Sequence, residues 1–592
     1  MKRRVADIVM DILCENGITD CFAVVGGGAM HLNNALAECE KINKLFNHHE
    51  QACAIAAEAY SRLTGKLAAV CVTSGPGGTN TLTGIMGSWQ DSLPVLVISG
   101  QVRYETTIEA SGLPLRYRGV QEFDIVNSIS NMTKYAVMVE DPLAIRRELQ
   151  KAIDLALNGR RGPVWIDIPM NVQSAIVEVD ALYPVEELDQ LPCVSVAEIE
   201  GLVKALNNAK RPCLLVGNGV ANTNNIAEFR KFAELTGVPV IAAAIAADAM
   251  YRDNDLFFGM SGSIGPRPGN FIVQNADVIV SFGCTMGYKM TGFAQEYFAP
   301  KAHIIMIDID KNEAKKPGVR IDQLIHSDLG LFFARANDIV TKINVNPQWV
   351  EYCQKLKARF SLFEAGENKA ADERVCSYYF WKEYEKYEPS DSTSILGNNS
   401  ANSGKLQIGI KKPEQRIVAN NNGGAMGADL PEAIGAAVAT GKEVICLTGD
   451  GSIMMNLQEL QTIIHYKLPV KVVVFSNDGY NAVRQTCKNY FNGKYIGCTA
   501  DTGVSFPSFE KLAGAFGFPY RLCENNAQVG DSLQWLFETE GYAFLEVLQL
   551  LDDPVSPKVM SRLKEDGTFA TPALHDMAPF LTKEEIDELM FW

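Results

Sequence analysis

At 592 residues the chain exceeds what one hydrophobic core serves, so three or so domains are expected. Its 47% hydrophobic and 21% charged content is that of an ordinary globular protein, and a formal charge of −16 leaves no basic field for nucleic acid or an anionic membrane surface. The fourteen cysteines form no Cys-x-x-Cys pair and no zinc-spaced Cys/His cluster, so they read as reduced structural thiols of a cytoplasmic protein.

The N-terminus, MKRRVADIVMDILCENG, lacks the apolar core of a secretion signal, and Val5, Ile8, Val9 and Ile12 fall at helical spacing instead. No uncharged apolar run reaches the ~18 residues of a membrane span. The chain then repeats one pattern: a short β-branched run, a glycine-bearing turn, a helical run. Strands are predicted at 22–25, 68–72, 95–98 and 164–168; at 213–216, 238–242, 278–282 and 304–309; and at 444–447, 470–475 and 543–547. Strands alternating with helices imply parallel sheets covered on both faces. The acidic, proline-bearing EVDALYPVEELDQLP near residues 178–192 reads as a linker. The polar EPSDSTSILGNNSANSGK near 388–405 reads as a second linker or as a functional loop. The expected plan is three doubly wound α/β domains at 1–178, 190–345 and 365–555. A tail at 556–592 ends in a helix opened by a Thr582–Glu585 capping box, and reads as a lid or as a docked surface helix.

The third domain holds the sharpest signal. In EVICLTGDGS a buried strand runs into Gly449-Asp450-Gly451, and Ile453, Leu457, Leu460 and Ile464 follow at helical spacing. Pro469 ends the connection, and the next strand stops at Asn477-Asp478-Gly479. This is a βαβ unit, whose right-handed crossover makes its two strands parallel. Asp450 and Asn477, 27 positions apart, therefore emerge at the carboxyl ends of the strands, where open α/β sheets bind ligands. A carboxylate and an amide oxygen suit Mg²⁺, which completes its shell with waters or phosphates. The glycines admit a phosphate, and Ser452 opens a helix whose N-terminus favours anions. The pair reads as a magnesium-bridged diphosphate site.

These residues resemble the motif of thiamine diphosphate (ThDP) enzymes. The resemblance implies that Asp450, Asn477 and the backbone carbonyl of Gly479 hold Mg²⁺. Gly451, Ser452 and Asn399 would line the diphosphate. The paired asparagines of the family are Ser476-Asn477 here. FNHHEQACAIAAEAYSRLTG is similar to the His-Glu-Gln segment of acetolactate synthases, which implies that Glu50 exchanges a proton with the aminopyrimidine and so generates the thiazolium carbanion. A carboxyl group in an apolar cleft suits that exchange. The segments at 72–102, 119–126, 160–173 and 423–439 look like the same group. They imply Gln121 and Gly27 at the substrate, Met426 as the prop that bends the cofactor, and backbone atoms of Gly424 and Met426 on the aminopyrimidine. The family plan names the domains aminopyrimidine-binding, central and diphosphate-binding. It also implies that Glu50 and Asp450 serve one site from two chains, in a homodimer or a homotetramer.

The sequence departs from the synthases at the acceptor. Their channel tryptophan is Thr486, preceded by Arg484 and Gln485; their pocket phenylalanine is Val120 and their lysine is Met170. A pocket that loses aromatic surface and gains an arginine favours a larger, polar or anionic acceptor, such as a nucleotide-linked keto sugar. FAD, which the synthases hold with arginines, is doubtful: SFGCTMGYKMTG (281–292) has none, which leaves Arg267 as the substitute, and GNGVAN (217–222) is a weak nucleotide signal. The expected function is a carboligase that takes a two-carbon unit from pyruvate or a similar 2-keto acid. The alternatives are a simple 2-keto acid decarboxylase, suggested by His48-His49, and a non-catalytic cofactor-binding paralogue.

Overall fold

The structure, a computed structural model, describes residues 1–366, 369–420, 422–553, 555–563 and 569–591. Three six-stranded sheets organise it. The first contains β1 (Asp20–Ala23), β2 (Asn43–Phe46), β3 (Ala69–Val72), β4 (Leu96–Gln101), β5 (Tyr135–Met138) and β6 (Val164–Pro169). The central sheet contains β7 (Pro212–Val216), β8 (Val240–Ala243), β9 (Phe257–Ser261), β10 (Val278–Phe282), β11 (His303–Asp308) and β12 (Gln323–His326). The third contains β13 (Thr393–Leu396), β14 (Arg416–Val418), β15 (Val444–Gly449), β16 (Val470–Ser476), β17 (Tyr520–Cys523) and β18 (Ala543–Leu548). The helices that bear on the site are α1 (Glu50–Thr64), α2 (Leu82–Gln90), α3 (Arg267–Asn275), α4 (Pro347–Arg359), α5 (Asp429–Thr440), α6 (Glu459–Tyr466), α7 (Asn481–Tyr490) and α8 (Lys583–Leu589).

The strand orders are β2-β1-β3-β4-β6-β5, β9-β8-β7-β10-β11-β12 and β14-β13-β15-β16-β18-β17. Parallel pairing throughout gives each sheet helices on both faces. This is the three-domain α/β architecture that the strand–helix alternation predicts. All eleven predicted strands are present, most of them displaced by a residue or two. The other seven strands were not predicted, and the 388–405 segment needs correction. It is neither a linker nor one long loop: Thr393–Leu396 is a fully buried strand and Asn402–Ile408 is a helix. Its Ser and Thr side chains hide a core strand from a hydrophobicity reading.

The chain divides into two units. The first comprises Met1–Gln190, Asn420–Cys446 and Ser452–Val470. Its central packing is α1 against α5, where Ala56 lies against Gly435, while Ala54 of the same helix faces Gly84 of α2. A Cβ on Gly435 would stand 2.0 Å from the carbonyl oxygen of Ala56, so α5 touches α1 backbone to backbone. The helical run after Asp450 is not continuous as predicted. A single turn, Asp450–Ile453, is followed by exposed Met454 and Met455 before α6 begins. Asn456 makes the break, donating to the Gly427 carbonyl (2.7 Å) and to Gln51 (3.0 Å).

The second unit comprises Leu191–Ala419, Leu447–Gly451 and Lys471–Trp592. The central sheet packs around Phe229, Phe232, Phe282, Phe332 and Phe333 in edge-on and stacked contacts. In the tail, the Thr582–Glu585 capping box forms as predicted. Helix α8 docks on α3 and α4: Asn275 and the Tyr352 hydroxyl donate to the Leu589 carbonyl, and Phe591 packs edge-on to Trp349 and Tyr352. Among the described residues no helix is long and apolar enough to cross a membrane.

Gly435→Ala inserts a methyl group where the structure leaves no room. It is expected to lower stability by ~1–3 kcal/mol in chemical denaturation; an unchanged midpoint would mean that α1 and α5 are not in backbone contact.

Candidate functional site

The second unit places Asp450 and Asn477 where the βαβ reading puts them, at the carboxyl ends of β15 and β16. The Asp450 carboxylate is buried and held by three backbone amides. Gly451 N–H donates to Oδ1 at 2.8 Å, and Asn477 and Gly479 N–H donate to Oδ2 at 2.9 and 3.3 Å. Burial pushes this carboxyl up to about 6, against the pull of those amides, and the Asp478 carboxylate adds to the rise. A buried carboxylate without a cation is what a bound metal ion completes. The available oxygens are of mixed type: one carboxylate, the Asn477 amide and backbone carbonyls. Among the described residues no cluster of His, Cys, Asp and Glu could hold a metal. Hard, mixed oxygen donors fit Mg²⁺. The diphosphate end fits as well, since Asn399, packed on Gly449, has a buried amide nitrogen without a hydrogen-bond partner, a donor available to an anion.

Asn477 is positioned from both sides of its amide. Its Nδ2 donates to Gln549 at 3.0 Å, and Gln549 in turn donates to buried Asp553 at 2.8 Å. Its Oδ1 accepts from Arg484 Nη2 at 3.2 Å, and the same nitrogen donates to the Leu551 carbonyl. Arg484 lies on the buried face of α7, whereas Thr486 lies on the exposed face. The two departures read from the sequence as one altered pocket therefore point apart, and the guanidinium meets the Asn477 amide oxygen. Neither Gln549 nor Asp553 was singled out from the sequence, because both lie more than 70 positions from Asn477 in an unremarkable segment.

The first unit holds the other group of predicted residues. Glu50 is the first residue of α1, N-capped by His49, whose Nδ1 accepts from the Gln51 amide at 3.1 Å. The Glu50 side chain is half-buried rather than sealed in an apolar cleft. Its Oε2 accepts from Asn80 Nδ2 at 2.9 Å, and Oε1 faces Gly77. Asn80 was overlooked, although it stands in the Ser-Gly-Pro-Gly segment that carries the resemblance. Gly75 lies so close to Gln121 that a Cβ would stand 2.4 Å from its carbonyl oxygen. Gln121 itself has φ +62°, a left-handed conformation costly for a non-glycine residue and typical of functional positions. Gly27 is exposed, in a short turn whose neighbour Gly28 donates to Thr73 at 3.0 Å.

The loop that carries Gly424 and Met426 is pinned within this unit. Gly427 N–H donates to the Ser452 hydroxyl at 2.9 Å, and that hydroxyl donates to Asp429 at 2.6 Å. The Ser452 side chain thus fastens the loop, which leaves its backbone as the group available to a phosphate. Met426 is half-buried, as a prop at a cavity edge would be rather than a core filler. In the second unit Arg267 does not fit a flavin phosphate. It donates to the carbonyls of Met577 and Pro579 and lies over the Phe360 ring.

Three family descriptions match the chain: "Thiamine pyrophosphate enzyme, N-terminal TPP binding domain" over residues 3–126, the central domain over 199–335 and the C-terminal TPP binding domain over 397–547. Acetolactate synthase 2, chloroplastic, of Nicotiana tabacum is 31% identical over 590 residues, 94% of this chain and 84% of the relative. The acetolactate synthase isozyme 2 large subunit of Escherichia coli (strain K12) is 30% identical over 546 residues, 92% of this chain and 95% of the relative. Acetolactate synthase of Arabidopsis thaliana is 30% identical over 596 residues, 96% and 84%. Domain for domain and along nearly its whole length, the chain belongs to the thiamine pyrophosphate enzymes, as an acetolactate synthase-like transferase.

Proposed function

We propose that this carboligase works with Mg²⁺, takes pyruvate or a similar 2-keto acid as donor, and passes the two-carbon unit to a keto acid or a nucleotide-linked keto sugar. The observation that carries the reading is the Asp450 carboxylate, fixed by three amides beside Asn477 and in want of a cation. Asp450, Asn477 and the Gly479 carbonyl would hold Mg²⁺; Asn399 and the backbone of Gly451 and Ser452 would take the diphosphate. When bound, thiamine diphosphate supplies a nucleophilic thiazolium carbon and an electron sink, which together allow a 2-keto acid to lose CO₂.

The chain's own residues set up that chemistry. Asn80 fixes Oε2 of Glu50, so Oε1 is the oxygen that carries the proton to and from the aminopyrimidine. Gly424 and Met426 would orient the ring by their backbone atoms, and Gln121 contacts the substrate. A homodimer, with Glu50 and Asp450 contributed by different chains, is the smallest working assembly; a homotetramer pairs two of them. The fourteen free thiols suit a reducing cytoplasm.

The acceptor side supports a larger partner than a second pyruvate. In the first unit Val120, next to Gln121, is 85% exposed and stands where the synthases carry a phenylalanine. FAD is left out of this reading, because Arg267 is engaged by the tail. The decarboxylase alternative loses its one signal: His49 is a helix cap, and His48 contributes its backbone amide to Glu459 at 3.0 Å. A paralogue that only bound the cofactor would have no use for the Glu50–Asn80 pair.

Glu50→Gln is expected to abolish turnover while leaving cofactor affinity within a few-fold, read by steady-state kinetics and fluorescence titration; full activity in the variant would refute the proton role. Asp450→Ala should remove Mg²⁺-dependent cofactor binding, and an unchanged titration would exclude the site. Incubation with pyruvate, ThDP and Mg²⁺ should give a product heavier than the acceptor by C2H4O, an acetyl group on carbon and a hydrogen on the new hydroxyl, when the right acceptor is present. Acetaldehyde as the sole product with every keto acid and keto sugar would exclude the carboligase.

A further inference from the structure

Below Glu50 on α1 lies a buried ionic cluster that the proposed chemistry does not use. Arg62 Nη2 donates to Glu58 at 2.9 Å and to Asp91, at the end of α2, at 2.6 Å. The loop ahead of α5 closes on the same acids: Asn420 Nδ2 donates to Glu58 at 3.3 Å and Asn422 Nδ2 to Asp91 at 2.6 Å. Glu432, on α5, is fully buried, and neither of its carboxyl oxygens has a hydrogen-bond partner; nor does Asn420 Oδ1. Around Glu432 stand Glu58 and Arg62 of α1, Asp429 of α5, Asp91, and the Cys446 thiol of β15. Helix α6 also packs on α5, but its buried acid, Glu459, is turned to Asn47, His48 and Thr462. Three carboxyl groups thus converge on one guanidinium, with Asp429 as a fourth nearby. Full ionisation would leave uncompensated negative charge in the dry α1–α5 packing.

We propose that Glu432 stands as the neutral acid, sharing a proton with Glu58 through one ordered water that also meets Asn420 Oδ1, and acts as a positioning residue for the Asn420–Met426 loop. The partnerless oxygens provide the two to four contacts that a buried water needs. Burial and the neighbouring acids push Glu432 well above the usual carboxyl range, and burial brings Glu58 up to about 7. The geometry gives the proton its significance. Glu50 opens the helix that carries Glu58, and the Gly424 amide donates to the carbonyl of Asn420 at 2.9 Å. The pair therefore ties the helix that Glu50 opens to the loop that would hold an aminopyrimidine, and, with each site shared between two chains, that Glu50 and that loop serve different sites. This rests on the cofactor reading above.

Both acids bind protons more tightly in the folded chain than in the unfolded one. Their contribution is therefore complete at the acidic side, and it is lost as pH rises from the unfolded carboxyl value of about 4.3 through the folded one. The loss delivers a proton to solvent and leaves two facing carboxylates.

The test compares wild type with Glu432→Gln, purified free of cofactor, from about pH 6 to about pH 9. In wild type, melting temperature should fall as pH rises, and affinity for ThDP with Mg²⁺ should fall about tenfold. In Glu432→Gln, whose amide cannot ionise, affinity should change less than about twofold. The infrared difference spectrum, wild type minus Glu432→Gln at the acidic end, should show the carbonyl band of one further buried protonated carboxyl, beyond those of buried acids such as Asp167 and Asp450 that both proteins keep. Equal pH slopes in the two proteins, or no such band in the difference spectrum, would overturn the proposal. If Glu432→Gln does not fold, the Glu58→Gln slopes decide in the same way. A wild type that binds no ThDP at any pH refutes the cofactor reading and with it the role of the loop, whereas the band and the melting slope report on the shared proton alone.

Discussion

Three backbone amides aimed at one buried carboxylate are the constraint on which the rest of the site depends. An aspartate can be held inside a protein only if its oxygens are satisfied, and Asp450 is satisfied by the turn it begins and by the turn that follows the next strand. That requirement fixes the register of β15 and β16 at their carboxyl ends. It leaves no freedom in where Asn477 stands. The chain then reinforces Asn477 with Gln549 and Asp553, so its amide is held in one orientation by the protein alone. Preorganisation of this kind lowers the ordering cost of binding.

What the sequence disclosed of the fold follows burial. The strands found from β-branched runs are, without exception, interior to their sheets. All six edge strands were overlooked, among them Asn43–Phe46, Gln323–His326 and Tyr520–Cys523. Four of these, Asn43–Phe46, Gln323–His326, Arg416–Val418 and Tyr520–Cys523, carry Asn, Lys, Gln, His or Arg, which lowers their apolar signal, whereas Tyr135–Met138 and Phe257–Ser261 are apolar and polarity does not account for them. The seventh omission, Thr393–Leu396, has another cause. Thr and Ser serve as small buried residues in that strand, and polarity misstated its position.

The site was legible where chemistry demands a residue type at a turn, as at Asp450, Asn477 and Glu50. It was not legible where a long-range partner supplies the function. Asn80 on Glu50, Gln549 on Asn477 and the Arg484 guanidinium on the Asn477 amide oxygen are tertiary facts with no local signature. Arg484 and Thr486, adjacent in the sequence argument, are two residues apart on a helix and so about 200° apart around its axis. Spacing alone decided that they could not share a pocket.

The first and third sheets have the same strand order, 2-1-3-4-6-5, counted along the chain within each. Position for position, β2 leads into Glu50 and α1, while β14 leads into the Asn420–Met426 loop and α5. Glu50 and the loop that carries Met426 therefore follow equivalent edge strands in two sheets of one topology, and the helices after them pack on each other. One strand order used twice thus sets an acid at the start of one helix and a glycine-rich loop at the start of its counterpart, so a change in the packing of either helix is felt at both.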